Sequence, residues 1–477
     1  MSILCCYPEY KPASADWAQC IPSHWMIRKA GHCFKNIGSG TTPQSGNAVY
    51  HACGSVPWVN TGDLNDGLLH APSKTITKQA LSDYPALRVF SAGALIVAMY
   101  GATIGKTGIS QFDATVNQAC CVLANPTIVT TRFAQLAFIG LKPALVHLAV
   151  GGGQPNISQE IVRQFQVPVP PLDEQRAIAD FLDVADARIS RYIAAKRHMI
   201  ALLEEQKQAI INQAVTRGLD PDVPLKPSGV DWLGDIPAHW EEFPLKRWLE
   251  TPITDGPHET PEWLDEGIDF VSAESMVNGR IDFDKRRGFI SEALHQTYCK
   301  KVHPRRDDIF MCKSGATTGK LAMVDTDREF SVWSPLALIR ADTSRVFPQF
   351  LLSALHSTYL QLQVQQTWSY GTQPNLSMLA MSRLVVALPP LDEQQRVQDF
   401  IRSESAQLEL IFKRVRQEIQ LIQEYRTRLI SDVVTGKLGV RGVELPALDE
   451  RKDSVLRDAL DPIGLEDSEL SIVDEEE

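Results

Sequence analysis

The chain has 477 residues, 44% of them hydrophobic and 22% charged, a balance typical of a globular protein with two or three domains. Its net charge is −11, but residues 441–477 carry −9 of it, so the near-neutral remainder can still present basic faces. No apolar run is long enough to span a membrane, no basic segment marks a secretory signal, and nine cysteines without a C-x-x-C spacing disfavour a zinc ribbon and suit a reducing cytoplasm.

Five sequence markers occur twice, in the same order and at an offset of 214 to 219 residues. The first copies are Ile21–Trp25, Gly101–Lys106, Gln154–Ser158, Pro170–Gln175 and Val215–Thr216. The second copies are Ile236–Trp240, Gly315–Lys320, Gln373–Ser377, Pro389–Gln394 and Val434–Thr435. Chance does not explain five ordered markers, so the chain is predicted to be two copies of one structural repeat. Between the markers the copies differ widely, which indicates a shared framework with different filling.

After an N-terminal extension, residues 1–15, the first domain is predicted over residues 16–170. Short apolar runs such as Leu95–Met99 have strand length, and glycine and proline punctuate them often, which favours a compact α+β domain. His24 and Trp25 follow an Ile-Pro pair, but no second histidine lies at a metal-binding spacing. We therefore interpret this marker as a packed segment that opens the domain.

The turn from Gly101 to Thr107 resembles a phosphate-binding loop, but its spacing is wrong. Tyr100 stands where that loop needs its first glycine, and Leu321 follows Lys320 in the second copy in place of Ser or Thr. Nucleotide hydrolysis is therefore disfavoured. Two interpretations remain: a turn whose backbone and lysine meet a DNA phosphate, or a hairpin turn with a solvated lysine.

The Gln-Pro-Asn box also has two interpretations, recognition or framework. Amides can read adenine edges, but Asn156 and Asn375 could equally cap a turn that fixes each domain on the helix after it. Because both copies keep the box while the rest differs, we favour the framework role.

A long helix is predicted over residues 171–217. No proline falls between Pro171 and Pro221, Asp173 and Glu174 suit the first helical turn, and Gly218 suits the end. A linker over residues 218–235 then leads to the second domain.

The second copy repeats this order, with a domain at residues 236–389, a helix at 390–436 and an acidic tail at 437–477, interpreted as disordered. Leu384–Leu388 is a second strand-length run near the end of its domain. The helical segments Asp173–Thr216 and Asp392–Thr435 both have 44 residues and would each span about 66 Å.

Apolar residues recur in both helical segments at steps of three and four, as in a helical seam. The seam residues predicted to form the spacer and subunit interface are Ile178, Phe181, Ile189, Ile193, Ile200, Leu203, Val397, Phe400, Leu408, Val415, Ile419 and Ile422. Equal length makes the two helices natural partners in an antiparallel coiled coil, although each helix could instead pack on its own domain.

Taken together, the Pro-Pro-Leu-Asp-Glu-Gln helix start, the glycine stop, the Gly-Ala-Thr-x-Gly-Lys turn and the Gln-Pro-Asn-x-Ser box resemble the specificity subunits of type I restriction–modification enzymes. Residues 232–240, which open the second copy, fit the same family, and residues 16–20 are a weaker version of that opening. The resemblance covers about residues 16 to 440 and leaves the acidic tail outside.

The resemblance implies an α+β fold with two target recognition domains in tandem, separated by the two long helices paired as an antiparallel coiled coil. It implies a non-catalytic cytoplasmic subunit of a bacterium or archaeon, in which each domain reads one half of a bipartite, asymmetric site in double-stranded DNA. The helix pair would set the gap and dock two methyltransferase subunits, which motor-nuclease subunits then join. S-adenosylmethionine, ATP and magnesium would belong to those partners, with no cofactor or metal in this chain.

Candidate DNA-contacting residues lie at the two glycine–lysine turns. They are Gly101, Gly105, Lys106, Thr107, Lys313, Gly315, Gly319 and Lys320. Three alternatives to the type I reading remain: a specificity subunit of a class whose nuclease is fused to the methyltransferase, a protein-only scaffold, and a hydrolase built on the glycine–lysine turns.

Overall fold

The computed structural model of the chain describes residues 6–149, 156–231, 233–370 and 374–443. Three residues of the repeated markers, Gln154, Pro155 and Gln373, lie outside the described residues, as do Trp232, the first five residues and the tail from residue 444. Within the described part, no helix is both long and apolar enough to cross a membrane.

The first domain is an α+β fold built from short strands and helices. Its strands are β1 (Tyr10–Ala15), β2 (Ala18–Pro22), β3 (Met26–Lys29), β4 (Phe34–Ser39), β5 (Val56–Val59), β6 (Gly67–Leu69), β7 (Thr75–Ile76), β8 (Leu95–Ala98), β9 (Thr107–Ser110), β10 (Thr115–Val116), β11 (Cys120–Pro126) and β12 (Gln166–Val169). Its helices are α1 (Ala30–Cys33), α2 (Ala48–His51), α3 (Lys78–Asp83), α4 (Thr131–Gly140), α5 (Lys142–His147) and α6 (Gln159–Gln164), and the long helix α7 (Leu172–Arg217) follows.

The second domain is likewise an α+β fold of short strands and helices. Its strands are β13 (Leu225–Pro227), β14 (Asp235–Pro237), β15 (Glu241–Pro244), β16 (Thr254–Asp255), β17 (Ile268–Val271), β18 (Met276–Val277), β19 (Arg280–Ile281), β20 (Gly288–Ile290), β21 (Ile309–Cys312), β22 (Leu321–Met323), β23 (Phe330–Val332), β24 (Leu336–Ile339), β25 (Ser369–Tyr370), β26 (Pro374–Asn375) and β27 (Val385–Leu388). Its helices are α8 (Glu292–Cys299), α9 (Pro348–His356), α10 (Thr358–Gln366) and α11 (Met378–Arg383), and the long helix α12 (Leu391–Val434) follows.

The two domains have closely similar sheet topologies. In the first, a five-stranded sheet has the order β4-β11-β8-β9-β6 and a three-stranded sheet the order β10-β5-β7. In the second, the orders are β16-β24-β21-β22-β19-β18 and β23-β17-β20. In both small sheets the central strand pairs parallel with one neighbour and antiparallel with the other. The second domain adds β18 at the edge of its large sheet, and the other strands of these sheets correspond in order.

The chain forms two compact units, and the long helices contribute to both. One unit comprises Met1–His198 and Arg416–Glu477, and the other comprises Met199–Val415. Each unit therefore combines one domain with the start of the helix that follows it and the end of the other long helix. The sequence predicted boundaries at the ends of each long helix, whereas the compact units divide both helices near their middle.

Contacts between the long helices run antiparallel. In the first unit, Lys196 lies 2.6 Å from Glu418, and Asp186, ten positions earlier, lies 2.5 Å from Arg426, eight positions later. In the second unit Lys207 pairs with Glu409 at 2.5 Å. Ion pairs this exposed add little stability, so they indicate register more than strength.

The strength of the pairing comes from an apolar seam that continues into each domain. In the first unit Ile178 and Leu182 of α7 share a buried cluster with Leu429, Val433 and Val434 of α12. The same cluster includes Trp25 and the α4 residues Phe133, Leu136 and Ala137. In the second unit the equivalent cluster joins Val397 and Ile401 to Ala214, Val215, Trp240 and Phe350. Hence the helices pack on each other and on the domains at the same time.

The predicted fold class is confirmed: two similar α+β domains in tandem are combined with two long antiparallel helices. The predicted helix segments Asp173–Thr216 and Asp392–Thr435 differ from α7 and α12 by one residue at each end. The predicted strand runs become β8 and β27.

A buried glutamine fixes the start of each long helix. Gln175 accepts a hydrogen bond from the Thr130 amide (2.7 Å) and donates to the carbonyls of Ile128 (3.0 Å) and Pro170 (2.8 Å). In the second unit Gln394 accepts from the Phe347 amide (2.8 Å) and donates to the carbonyls of Arg345 and Pro389. Both side chains are fully buried, which explains why this glutamine stands in both copies of the helix start.

The neighbouring glutamate completes the same arrangement. Glu174 lies 2.8 Å from His24, and Glu393 lies 2.7 Å from His239. The glycine that ends the other long helix packs here too: Gly436 lies against Trp25 in the first unit and Gly218 lies against Trp240 in the second. We call each set the clamp: His24, Trp25, Glu174, Gln175 and Gly436 in the first unit, and His239, Trp240, Glu393, Gln394 and Gly218 in the second.

The clamp glycines have left-handed backbone conformations, φ +74° at Gly436 and φ +70° at Gly218. A Cβ on Gly436 would lie 2.4 Å from a ring carbon of Pro22. Glycine is therefore required both for the end of the helix and for the close approach to the opening segment of the domain.

Replacing Gln394 by alanine should lower the free energy of unfolding by about 2–4 kcal/mol, because it leaves a buried amide and buried carbonyls without partners. The adjacent Gln395 is exposed, so Gln395→Ala should change stability by no more than about 0.5 kcal/mol. Urea and thermal unfolding of the full chain measure both variants, and equal losses would contradict the role of the buried amide.

Candidate nucleic-acid interface

The two glycine–lysine turns are hairpin connections between central strands of the large sheets. In the first domain Gly105 donates to the carbonyl of Ala98 (3.0 Å), and Ala98 donates to that of Lys106 (2.8 Å). In the second, Gly319 and Cys312 occupy the places of Gly105 and Ala98, with both bonds 2.8 Å long. These bonds close the turn and bring its lysine to the end of the strand.

Both glycines of each turn adopt positive φ angles, which explains their repetition. The angles are +62° at Gly101 and +75° at Gly105, and +91° at Gly315 and +90° at Gly319. The hairpin interpretation of this motif is thus confirmed, and contact with a DNA phosphate remains a prediction.

The asparagine of each Gln-Pro-Asn box lies directly beside the turn. Asn156 forms a β-bridge with Tyr100, and Asn375 forms one with Ser314. In the second domain the amide of Gly315 also donates to the carbonyl of Pro374 at 3.2 Å. Two markers that are about 50 residues apart in sequence therefore build one local frame in each domain, as a framework role requires.

The serine of the same box caps the next helix. Ser158 accepts a hydrogen bond from the amide of Ile161 at the start of α6, and Ser377 accepts one from Ala380 at the start of α11. A side-chain cap of this kind contributes about 1 kcal/mol and fixes where the chain turns into the helix.

The predicted DNA-contacting side chains differ in how accessible they are. Lys320 is exposed and Lys106 is partly exposed, with the side chain of Lys142 packed over the neighbouring Gly105. Thr107 is buried, and its backbone amide and hydroxyl donate to Asp66 at 2.7 and 3.0 Å. Of the polar side chains predicted at the first turn, Lys106 is therefore the one that a ligand can reach.

Lys313 belongs to a buried ionic cluster. Asp255 is 1% exposed and lies 2.6 Å from both Lys301 and Lys313 and 3.2 Å from His258. Burial alone would raise the pKa of Asp255, but the hydrogen bonds from the two lysines outweigh it and hold the pKa below its usual value. Lys313 therefore holds the start of the turn in place, while Lys301 remains half exposed.

The first domain fills the same positions without charge. Strand pairing aligns Ser39 with Asp255 and Met99 with Lys313. Ser39 donates to Gln159 at 3.3 Å, and Met99 is buried in the core. The shared frame is thus surrounded by different chemistry in the two domains.

Two glycines missed by the sequence analysis bring the edge of the sheet onto the neighbouring small sheet. A Cβ on Gly40 would lie 1.7 Å from the carbonyl oxygen of Val116, and one on Gly256 would lie 2.1 Å from that of Val332. Only glycine fits such an approach. The signal in the sequence is weak, since isolated glycines with different neighbours do not form a recognisable marker.

The loops after those valines carry the most different exposed groups. In the first domain, residues 117–119 include Gln118, which is exposed and accepts a hydrogen bond from Thr42. In the second domain, the equivalent loop carries Trp333, and the guanidinium of Arg287 stacks 3.9 Å from its ring. Both loops hydrogen-bond to the strand that leads into the glycine–lysine turn, through Ala119 and Pro335. Exposed amide and guanidinium groups therefore neighbour the repeated frame.

Two further arginines share one buried carboxylate of the small sheet in the second domain. Arg286 and Arg328 both contact the buried Asp269, at 3.4 and 2.5 Å. Arg286 also lies 4.4 Å over Phe289, so aromatic and acidic neighbours fix the segment that presents Arg287. The run from Lys285 to Arg287 is a basic cluster that is visible in the sequence but lies outside the repeated markers.

The predicted seam residues occupy three environments. Ile178, Ile193, Ile200, Val397, Leu408, Val415 and Ile419 are buried. Phe181, Ile189, Leu203 and Ile422 are partly buried. Phe400 is 40% exposed, whereas its counterpart Phe181 packs against the core of the first unit.

Comparisons with known proteins agree on one family. Residues 22–197 match the family model of the type I restriction modification DNA specificity domain. The specificity subunit of the type I restriction enzyme MjaVIII from Methanocaldococcus jannaschii is 21% identical over 431 residues, 89% of this chain and 95% of that subunit. The EcoBI specificity subunit from Escherichia coli is 24% identical over 289 residues, 59% of this chain and 60% of that protein.

A solved chain from work on complex assembly and conformational transition of the type I R-M system shares the fold. It superposes with a TM-score of 0.61 at 15% identity, covering 86% of this chain and 98% of that one. At 15% identity this similarity supports only a shared fold.

Replacing Asp255 by asparagine should lower the free energy of unfolding by about 3–5 kcal/mol at neutral pH, because it leaves two lysines near the site without their buried partner. Since the native pKa is depressed, this contribution is fully present above the unfolded pKa of about 3.9 and is lost as pH falls through the native pKa. Thermal unfolding against pH measures it. The exposed Asp265 provides the control variant Asp265→Asn, and an equal loss in both variants would contradict the proposed ionic cluster.

Proposed function

Because the chain belongs to the family of type I restriction–modification specificity subunits, as the repeated motifs predicted, we propose that it is the non-catalytic subunit that directs such a complex to its DNA sequence. Each α+β domain reads one half of a bipartite, asymmetric target in double-stranded DNA. The long helices set the gap between the halves and dock two methyltransferase subunits, which motor-nuclease subunits join. The observation that carries this proposal is the repeated frame with different exposed groups in each copy.

The two domains support recognition of different half-sites. A palindromic reader would carry the same reading groups twice, whereas here Gln118 with Thr42 lies at the loop after Val116, and Trp333 with Arg287 lies at the equivalent loop after Val332. Amides suit the donor–acceptor pair of adenine, and a guanidinium suits the two acceptors of guanine. Lys106 and Lys320 supply phosphate contacts that orient the domain and carry no sequence information.

The helices support a docking role through exposed apolar side chains. Leu202 is 51% exposed, and its counterpart Leu421, 219 positions later, is 63% exposed. An exposed leucine repeated at the same position of two equivalent helices fits two copies of one partner. Two methyltransferase subunits, bound through equivalent surfaces, meet that requirement.

Methylome mapping tests the proposal. The full chain is co-expressed with the methyltransferase encoded beside it, and methylated adenines are mapped genome-wide. We expect one bipartite motif with a fixed gap. In that assay Arg287→Ala should weaken base preference in one half-site by about 5- to 150-fold, equivalent to 1–3 kcal/mol, and Gln118→Ala should do so in the other.

The control for these variants is Arg402→Ala, which removes an exposed arginine of α12 and should leave both half-sites unchanged. A stable complex without sequence-specific methylation would overturn the proposal. If one variant altered both half-sites, the separate reading by the two domains would be wrong.

Lengthening both helices together should change the gap and nothing else. Seven residues are inserted between Lys196 and Lys207 and seven between Glu409 and Glu418, which keeps the antiparallel ion pairs on either side. At roughly 1.5 Å per residue, the insertion adds about 10 Å to each helix, or about three base pairs. The methylome should show the original half-sites with a longer gap.

The same seven residues inserted at the exposed Asp220–Asp222 turn serve as the control and should leave the gap unchanged. Altered half-site sequences in the helix variant, or an unaltered gap, would contradict the spacer role.

A further inference from the structure

Three side chains that ligate metals converge at one corner of the second domain. His295 and Cys299 lie on α8, one helical turn apart, and Glu329 directly precedes β23. Their ligand atoms all lie within 4.8 Å of one another. No metal was expected from the sequence, which has no C-x-x-C or H-x-x-H spacing. His295 and Cys299 are four residues apart, and Glu329 lies 30 residues further along the chain.

We propose that His295, Cys299 and Glu329 bind one zinc(II) ion. His295 Nε2 lies 3.2 Å from Glu329 Oε2 and 3.4 Å from Cys299 Sγ. A tetrahedral zinc ion with ordinary Zn–N, Zn–O and Zn–S bonds holds its ligand atoms about 3.3–3.6 Å apart. Two of the three donor separations are therefore close to the edges of such a tetrahedron, and the third is within 4.8 Å.

The donor set selects the metal. A thiolate with an imidazole favours zinc over calcium and magnesium, which take oxygen ligands. One carboxylate and one thiolate also neutralise a divalent ion. Because the side chain of Glu329 is 57% exposed, water can reach the fourth position.

Neighbouring groups orient two of the ligands. Nδ1 of the buried His295 lies 2.9 Å from the hydroxyl of Ser331, itself buried, which leaves Nε2 free to face Glu329, while Cys299 Sγ lies 3.4 Å from Nε2 and 3.6 Å from Nδ1. His303 Nε2 lies 3.1 Å from Glu329 Oε2 on the other side of the carboxylate. Supporting bonds of this kind fix ligands in protein metal sites. His303 is thus a positioning residue for Glu329.

The cluster lies in the part of the second domain that differs from the first, and not in the shared framework. The matching helix of the first domain, α3, has the sequence Lys-Gln-Ala-Leu-Ser-Asp, without histidine or cysteine. A bound ion would tie α8 to the edge of the small sheet that holds Trp333. It would stabilise the second domain alone.

Metal analysis of the full chain tests the proposal. After loading with Zn²⁺ and dialysis, the wild-type chain should retain one zinc per chain, and Cys299→Ser and His295→Gln should retain none at that site. Loaded with Co²⁺, the wild type should show a thiolate-to-cobalt charge-transfer band that Cys299→Ser lacks. Cys20→Ser, which removes an exposed thiol of the first domain, should retain both the metal and the band.

His303→Ala should keep the cobalt band and bind zinc about 10- to 100-fold more weakly. Zinc should also raise the melting temperature of the wild type and not that of Cys299→Ser, with both variants matching the wild type in metal-free circular dichroism. Zinc retention in the wild type no greater than in folded Cys299→Ser would overturn the proposal, as would a cobalt band that survives in Cys299→Ser.

Discussion

The clamp is the constraint on which the rest of the molecule depends. A helix of more than 40 residues cannot bury its apolar stripe alone, and it leaves backbone groups unpaired at both ends. Each unit solves both problems at one place. A buried glutamine fixes the start of one helix to the domain, and a glycine lets the end of the other helix lie against the same tryptophan. Each unit therefore needs the start of one long helix and the end of the other.

This dependence explains which parts of the fold were readable from the sequence. Helix length, helix ends and the β-hairpin at the glycine–lysine turn are local properties, set by apolar periodicity, proline-free runs and glycine, and they were predicted to within a residue or two. The glutamate and glutamine of the clamp were predicted only as groups at a helix start. Their contacts to His24 and Thr130 join residues 150 and 45 positions apart, which no local pattern reveals.

The groups proposed to read bases, Arg287 and Gln118, could not be predicted from the sequence for a related reason. The sequence analysis singled out what the copies share, and the structure shows that most of those residues serve the frame. Thr107 and Lys313 are held by Asp66 and Asp255, so the repeated or conspicuous polar residue is often the one already engaged. Arg287 and Gln118 sit in segments that differ between the copies, and they become recognisable only when the strands are aligned in space.

The two domains stabilise equivalent loops by opposite means, and this difference bears on function. The first domain has Ser39 and Met99 where the second has the buried Asp255 and its partner Lys313. In the second domain Asp269 is also buried and contacts Arg286 and Arg328. Buried ion pairs contribute little net stability, but removing one partner is costly, so they hold their neighbours in defined positions. In the second domain those neighbours include the turn lysine, Arg287 and the loop of Trp333. For the role proposed for Arg287, in which its guanidinium meets two acceptors on a base, such fixed placement is required. The frame can therefore stay the same while each domain supplies the rigidity that its own reading groups require.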